Sequence, residues 1–341
     1  MSKENVIIIG AGIAGMEAAI ELNRLGAHVA LLETTDAMGG NVKNWHKLFP
    51  DFRNGDDIIK ALQQQVNGME ILYNAAITAI SRSANQFEIS LSSGEKKSAK
   101  AILLATGFDT FDACKKEEYG YGIYDNVITS VELEKMLRET ATIRTQQGIV
   151  PKRVGIIHCV GSRDEKINNI HCSKLCCVTG VKQAIEIREL LPDTEVFCFY
   201  MDLRMYGRHF EELYLDAQKK KVKFIRGRLS ESFENPDHSI LLKVEDTLIG
   251  KPLKMSVDLM VLLVGTTPSK AGLHVINLLG MENAADGFLK IKDSCLDTNT
   301  SSQEGVYFTG TCTGIKSVPE TLADARSAAL RVWEYIKEKT K

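Results

Sequence analysis

Apolar positions along this 341-residue chain follow two alternating rhythms. Short continuous apolar runs predict strands: Val6–Ile9, HVALLE ending in Glu33, AILLATG (101–107), RVGII (153–157), TEVFCFYM and GVYFTGTCTG (305–314). Between them, MEAAIELNRL, VKQAIEIRELL (181–191) and a long C-terminal stretch from about Pro319 carry the helical period. Strands that alternate with helices predict βαβ units and parallel sheets. The fold class is therefore α/β, with two nested domains. One is built from both chain ends, 1–112 and 266–341. The other is 151–265, reached through a helical linker at 113–150. VLLVGTTPS marks the return crossing.

The first forty residues carry a complete βαβ fingerprint rather than a lone glycine motif. The strand runs into GAGIAG, with Gly10, Gly12 and Gly15; the helix stops at Gly26; the second strand ends in Glu33. Gly10 makes the tight turn, Gly12 admits a pyrophosphate to the backbone, and Gly15 lets helix and strand pack closely. The helix N-terminus offers free N–H groups to the phosphates. Glu33 is placed to accept from a ribose hydroxyl. A tight turn with no ligand is the plainer alternative, and the strand, spacing and terminal acid all argue against it.

Composition adds mainly exclusions. Apolar residues are 44% and charged residues 25%, an ordinary globular balance, and the formal net charge is -2. That charge gives no general attraction to nucleic acid or acidic membranes. The stretch before Val6 has no charged n-region followed by a long apolar h-region, so no secretory signal is expected. The longest apolar run is too short to span a bilayer, so no direct membrane insertion is expected. These features predict a cytoplasmic protein. Eight cysteines in that compartment point to metal binding or redox chemistry rather than to disulfides.

Three further stretches favour FAD as the dinucleotide. Gly39-Gly40 allows backbone to approach a ligand. Ala105, Thr106 and Gly107 end one strand in a small-residue turn, and Gly310 and Thr311 end another before the last helix. Together these resemble the FAD domain of flavoproteins with two nested Rossmann-like nucleotide-binding domains, such as thioredoxin reductase. In that family the late strand usually ends in Gly-Asp, with the acid on the ribityl chain. Here Thr311 and Cys312 follow Gly310.

The second nucleotide site is overwritten. After strand 153–157 the chain reads HCVGSR, with only Gly161 where a second glycine fingerprint belongs. About a dozen residues intervene before the helix, and the next strand restores the pattern. Without close-approach glycines, NAD(P)H binding there should be poor. In their place stand Cys159, Cys172, Cys176 and Cys177, half of the chain's thiols. Four thiolates suit a [4Fe–4S] cluster, one per iron. Structural zinc usually takes two CxxC knuckles, and a dithiol centre one CxxC; neither is present. Cysteines packed as small hydrophobes remain a further reading. His158 and His171 each precede one of these cysteines.

HCVGSRD, HCSKLCCVTGVKQA, FYMDLRMYG, KFIRGRLSE and GTCTGIKSVPET, in that order, resemble the A-subunit family of heterodisulfide reductase over nearly the whole chain. The resemblance implies a thioredoxin-reductase-like flavin core with one [4Fe–4S] cluster on the four cysteines. It also implies iron–sulfur partner subunits in a sulfur-metabolism complex, and a homodimer is expected. Full-length members add ferredoxin-type CxxCxxCxxxC segments, absent here. The chain thus resembles the short form found in the sulfur-oxidising heterodisulfide-reductase-like complex and in the quinone-interacting membrane-bound oxidoreductase. Its expected role is to relay electrons between flavin and partner clusters. The alternative is a stand-alone NAD(P)H-dependent reductase of the thioredoxin reductase type.

Lys182 and Lys316 match lysines in the family's motifs and are expected as catalytic-site cations near a flavin; solvated lysines are the plainer reading. Cys198 and Cys312 are expected in the core, and KKKVK (219–223) at a solvated helix end. The loop NVKNWHKLFPDF (41–52) is expected to cover the flavin, to meet a partner, or simply to pack.

Overall fold

The computed structural model describes residues 4–83 and 86–339. The chain divides into two compact units. One comprises the chain up to residue 43, residues 55–109 and the chain from 267 onward; the other comprises 44–54 and 110–266.

In the first unit, parallel strands lie in the order Glu70–Leu72, Val29–Leu32, Glu4–Ile9, Lys96–Leu104, Val306–Phe308. Ile7 pairs with Ala30 on one side and Ile102 on the other. Val6, Ile7 and Ile8 are wholly buried, as a continuous apolar run requires when both sheet faces are covered. Lys96–Leu104 also joins an antiparallel meander with Gln86–Leu91 and Ile77–Ser83. Helix Ile13–Arg24 packs against the C-terminal helix Val318–Glu338. The latter starts with a Ser317–Glu320 capping box and has Pro319 in its first turn, where a missing N–H costs nothing.

In the second unit, five parallel strands run in the order Val127–Thr129, Leu259–Val264, Arg153–Val160, Glu195–Tyr200, Lys223–Arg226. Val154, Ile156, Val181, Ile185, Cys198 and Val261 share its core. Leu229–Glu234, Ile240–Asp246 and Lys251–Val257 form a separate antiparallel sheet. Among the described residues, no helix is long and apolar enough to cross a membrane.

Two boundaries differ from those expected. Residues 113–150 are not a linker but part of the second unit. Val127 pairs with Met260 in the edge strand, and helix Ser130–Glu139 buries Leu133 and Leu137 in the core. The strand is only three residues long, and its helix is signalled mainly by the Thr129–Glu132 capping box. Residues 44–54 also fold onto the second unit. Phe49 and Phe52 pack on its core, and the Phe49 ring meets Phe210 edge-on at 5.5 Å.

Candidate functional site

Two groups of residues stand out, one in each unit. In the first, strand Glu4–Ile9 ends at Gly10, whose φ of +106° suits only glycine without strain. A Cβ there would lie 2.5 Å from the Ala105 carbonyl oxygen, and a Cβ on Gly15 would lie 1.9 Å from that of Gly10. Both glycines answer to backbone packed against them. Gly12 does not. Its backbone is extended (φ -71°, ψ -176°), and the nearest atom to a Cβ there is Gly40 Cα at 3.7 Å. Its side is therefore open. Gly12 is also the N-cap of helix Ile13–Arg24, and no side chain caps that end. The first amides and the positive end of the dipole thus face that opening.

The remaining expected cofactor residues gather around this turn. Gly39 bridges Gly12, its N–H donating to the Ala11 carbonyl at 3.0 Å, and Gly40 abuts Gly12. Glu33 is held by three donors at 2.9 Å: Ala11 N to Oε2, and Thr35 N and Oγ1 to Oε1. Ala105 N donates to the Ile9 carbonyl at 2.8 Å. Thr106 Oγ1 is buried without a hydrogen-bond partner. Gly107 neighbours Thr311, and Gly310 abuts Ala14 in the first turn of the helix. An open glycine edge, an uncapped helix end and an orphaned hydroxyl fit a dinucleotide.

No acid follows Gly310, yet a carboxylate serves the turn. Asp324, on the C-terminal helix, accepts from Gly310 N at 2.6 Å and from Thr309 Oγ1 at 3.0 Å. Lys316 Nζ donates to the Gly310 carbonyl and to Thr313 Oγ1, both at 2.8 Å, with Asp324 at 3.9 Å. Lys316 is therefore not a solvated lysine. Cys312 is buried, and burial pushes its thiol up to about 12. It is a packed side chain, not a nucleophile.

In the second unit, strand Arg153–Val160 carries a register shift between Ile157 and Val160, and Cys159 sits there with φ +60°. Such a bulge re-aims side chains at a strand end. Cys176 and Cys177 open helix Cys176–Leu190, which starts slightly earlier than its apolar pattern suggests. A helix N-terminus favours thiolate over thiol. Cys159, Cys176 and Cys177 form one buried group, against which Met201, Leu203 and Met205 pack. Cys172 is half-buried and accepts from Lys174 N at 3.3 Å. The Arg163 guanidinium interacts electrostatically with both Cys159 and Cys172.

Cys159, Cys176 and Cys177 influence one another's protonation. A hydrogen bond with Cys176 lowers both Cys159 and Cys177, against the opposing effect of burial; Cys176 is raised correspondingly. Among the described residues, the three-ligand group whose atoms lie within 4.8 Å of one another is Asp125, Glu234 and His238, elsewhere in this unit. No three of the four cysteine sulfurs therefore lie within 4.8 Å of one another, whereas four thiolates around one zinc ion would sit roughly 3.8 Å apart. His158 lies beside Cys177 and adds to its lowering, although neither ring nitrogen has a hydrogen-bond partner of ordinary geometry. His171 Nε2 lies 3.3 Å from the Thr266 carbonyl oxygen.

Lys182 is the clearest departure. Expected as a cation near a flavin, with a solvated lysine as the plainer reading, it is almost wholly buried within the second unit and already paired. Its Nζ contacts Glu134 Oε1, Glu186 Oε2 at 2.9 Å and the Lys47 carbonyl at 3.1 Å. Glu134 also accepts from Gln183 Nε2 at 2.7 Å and from His46 N at 2.9 Å; His46 Nδ1 lies 3.0 Å from Glu186. This network fastens residues 46–47 to the unit. Sequence reasoning misses Asp324 and Arg163 in turn. Nothing local marks Asp324. Arg163 lies inside the HCVGSRD motif, a signal that was there to use.

Residues 4–161 match the family model described as pyridine nucleotide-disulphide oxidoreductase. The chain is 43% identical over 236 residues to the A subunit of the H(2):CoB-CoM heterodisulfide,ferredoxin reductase of Methanothermobacter thermautotrophicus, which covers 67% of this chain and 36% of that protein. It is 31% identical to one of the iron-sulfur A subunits (number 1) of CoB--CoM heterodisulfide reductase from Methanopyrus kandleri, across 96% of this chain and 63% of that one. The chain therefore spans only about a third of the length of the first of these relatives and under two thirds of the second. Among solved structures, T. acidophilum thioredoxin reductase superposes with a TM-score of 0.69 at 18% identity over the full length of both chains. Lactococcus lactis thioredoxin reductase superposes at 0.67 and 19% identity, over 98% of this chain and all of that one. At such identities the likeness establishes the fold: α/β, with two nested Rossmann-like domains of the thioredoxin-reductase type.

Proposed function

With relatives named as heterodisulfide reductase A subunits and four cysteines where a second phosphate turn belongs, we propose that this chain is a flavin- and cluster-binding oxidoreductase subunit of the same family. It binds FAD in the first unit and a [4Fe–4S] cluster in the second. It relays electrons between the flavin and iron–sulfur partner subunits of a heterodisulfide-reductase-like complex in sulfur metabolism, as a cytoplasmic homodimer.

The observation that carries this reading is the rebuilt turn at 158–177. In a dinucleotide domain the glycine after the first strand leaves space for phosphate. Here a Cβ on Gly161 would fall 2.1 Å from the Phe111 ring, so the space is already filled by protein. The helix that would receive the phosphates opens instead with Cys176 and Cys177.

FAD, when bound, supplies electron-pair chemistry, and the cluster supplies single-electron transfer. The chain's own groups do the rest. Gly12 and the first turn of helix Ile13–Arg24 receive the pyrophosphate, and Glu33 holds the ribose. Ala105, Thr106 and Gly107, with Gly310 and Thr311, line the remaining edge. Lys316 and Asp324 fix the 309–313 turn, and Lys316 places a positive charge beside it. Met201, Leu203 and Met205 keep water from the cysteines.

Anaerobic mixing with NADH or NADPH tests the reading. The flavin should stay oxidised, while a low-potential one-electron donor reduces both centres. Rapid bleaching of the flavin by either nucleotide contradicts the proposal and favours a stand-alone NAD(P)H-dependent reductase.

A further inference from the structure

One half-buried cation in the second unit lacks part of its expected partners. Arg163 is fixed at both ends. Its backbone N–H donates to the His171 carbonyl at 3.0 Å, and Nη2 donates to Asp202 Oδ2 at 2.8 Å. Nη1 is buried and has no hydrogen-bond partner of ordinary geometry, although the side chain lies close enough to Cys159 to lower its thiol. The same guanidinium interacts electrostatically with Cys159 and Cys172. Asp202 is tied to this neighbourhood as well, since Cys177 Sγ donates to its backbone carbonyl at 3.5 Å.

A buried charged donor left unpaired is costly, and far more so than a neutral one. Planar Arg forks are suited to holding one acceptor with one nitrogen while offering the other to a second anion. Here the first acceptor is a carboxylate, and the guanidinium's other electrostatic partners are cysteines. Rotation is restrained by the Asp202 contact, so Nη1 cannot easily turn to solvent.

We propose that Arg163 Nη1 donates a charge-assisted hydrogen bond to a sulfur of the cluster held by Cys159, Cys172, Cys176 and Cys177, and so raises its reduction potential, with Asp202 as the anchor that aims it. This rests on the cluster reading above. Reduction adds one negative charge beside a fixed cation, so the cation favours the reduced form. Hydrogen bonds to cluster sulfurs and net local charge are established determinants of such potentials. Arg163 is thus a positioning and tuning residue, not a ligand.

The test uses the full chain, purified anaerobically, as wild type, R163Q and R163K. Iron and acid-labile sulfide are measured first, then the cluster midpoint by redox titration monitored with low-temperature electron paramagnetic resonance. R163Q should keep its iron and sulfide while its reduction equilibrium falls at least tenfold, a downward shift of about 59 mV for one electron. R163K, which keeps the charge without the fork, should fall between the two. A fully loaded R163Q with the wild-type midpoint overturns the proposal. Should R163Q fail to assemble a cluster, reduced wild type labelled with guanidinium-15N arginine decides. Pulsed resonance should show a nitrogen coupling that R163K lacks, and no coupling in wild type overturns the proposal. A wild type without iron and sulfide instead refutes the cluster reading itself, a separate result.

Discussion

Gly12→Ala separates the demands of the fold from those of the ligand. At φ -71° and ψ -176° any residue is comfortable, and a Cβ finds no protein atom nearer than 3.7 Å. The substitution should leave the empty protein at least as stable as before, with a gain of up to about 0.4–1 kcal/mol because alanine restricts the unfolded chain. The cost falls on the ligand, since the new methyl occupies the side by which a pyrophosphate reaches the backbone. An affinity loss of a hundredfold or more, about 2.7 kcal/mol, is expected. Gly15→Ala is the contrast. Its Cβ would lie 1.9 Å from the Gly10 carbonyl, so helix and strand must separate, at about 1–3 kcal/mol of stability even without FAD. The assay is thermal unfolding with and without FAD, together with flavin content. At a hundredfold excess over Kd, FAD should stabilise wild type by about 2.7 kcal/mol and leave Gly12→Ala nearly unmoved. Retention of stoichiometric FAD by Gly12→Ala refutes the reasoning, and so does a marked loss of stability in its FAD-free form.

Other expectations follow from the same geometry. Lys182→Met leaves Glu134 and Glu186 buried without their cation and should cost about 3–5 kcal/mol in urea unfolding; an unchanged midpoint contradicts the pairing. Burial raises the Glu186 pKa above its ordinary value of 4.5, with Glu134 adding to the rise and Lys182 and His46 opposing it. A raised carboxyl pKa stabilises the fold at low pH, and that contribution is lost as pH climbs through the folded value. Glu186→Gln should flatten the fall in stability above pH 4.5, and an identical pH profile for the variant counts against the network. Asp324→Ala strips the acceptor from Gly310 N and should lower FAD affinity by about 1–3 kcal/mol, read by calorimetry; wild-type affinity removes Asp324 from the site.

Local chemistry was legible in the sequence, and distant pairing was not. Gly10, Gly12, Gly15 and Glu33 lie within one βαβ unit, where spacing alone sets geometry. The cysteine block is equally compact, and Cys159, Cys176 and Cys177 form one buried group, while Cys172 is half-buried. Lys182 shows the limit. Its position on the helix was clear, but its partners Glu134 and Lys47 lie 48 and 135 residues away. No local pattern announces that a lysine will meet a carboxylate so distant, and so its charge was assigned to a flavin. Asp324 fails for a related reason. It reaches back 14 residues to Gly310 from a helix whose own period explains it fully. The segments 44–54 and 113–150 were misassigned because chain order separates them from the core that buries Phe49, Leu133 and Leu137.

The central claim is that Cys159, Cys172, Cys176 and Cys177 hold one iron–sulfur cluster in a domain frame that no longer binds a nicotinamide nucleotide. Metal, acid-labile sulfide and flavin analysis of anaerobically purified wild type and Cys176→Ala addresses it most directly. Wild type should contain about four iron and four sulfide per chain, with FAD. Cys176→Ala should lose or convert the cluster while keeping FAD, because the residues proposed to hold the flavin lie in the other unit. Zinc without sulfide in wild type contradicts the claim, as does an alanine variant whose iron and sulfide are unchanged.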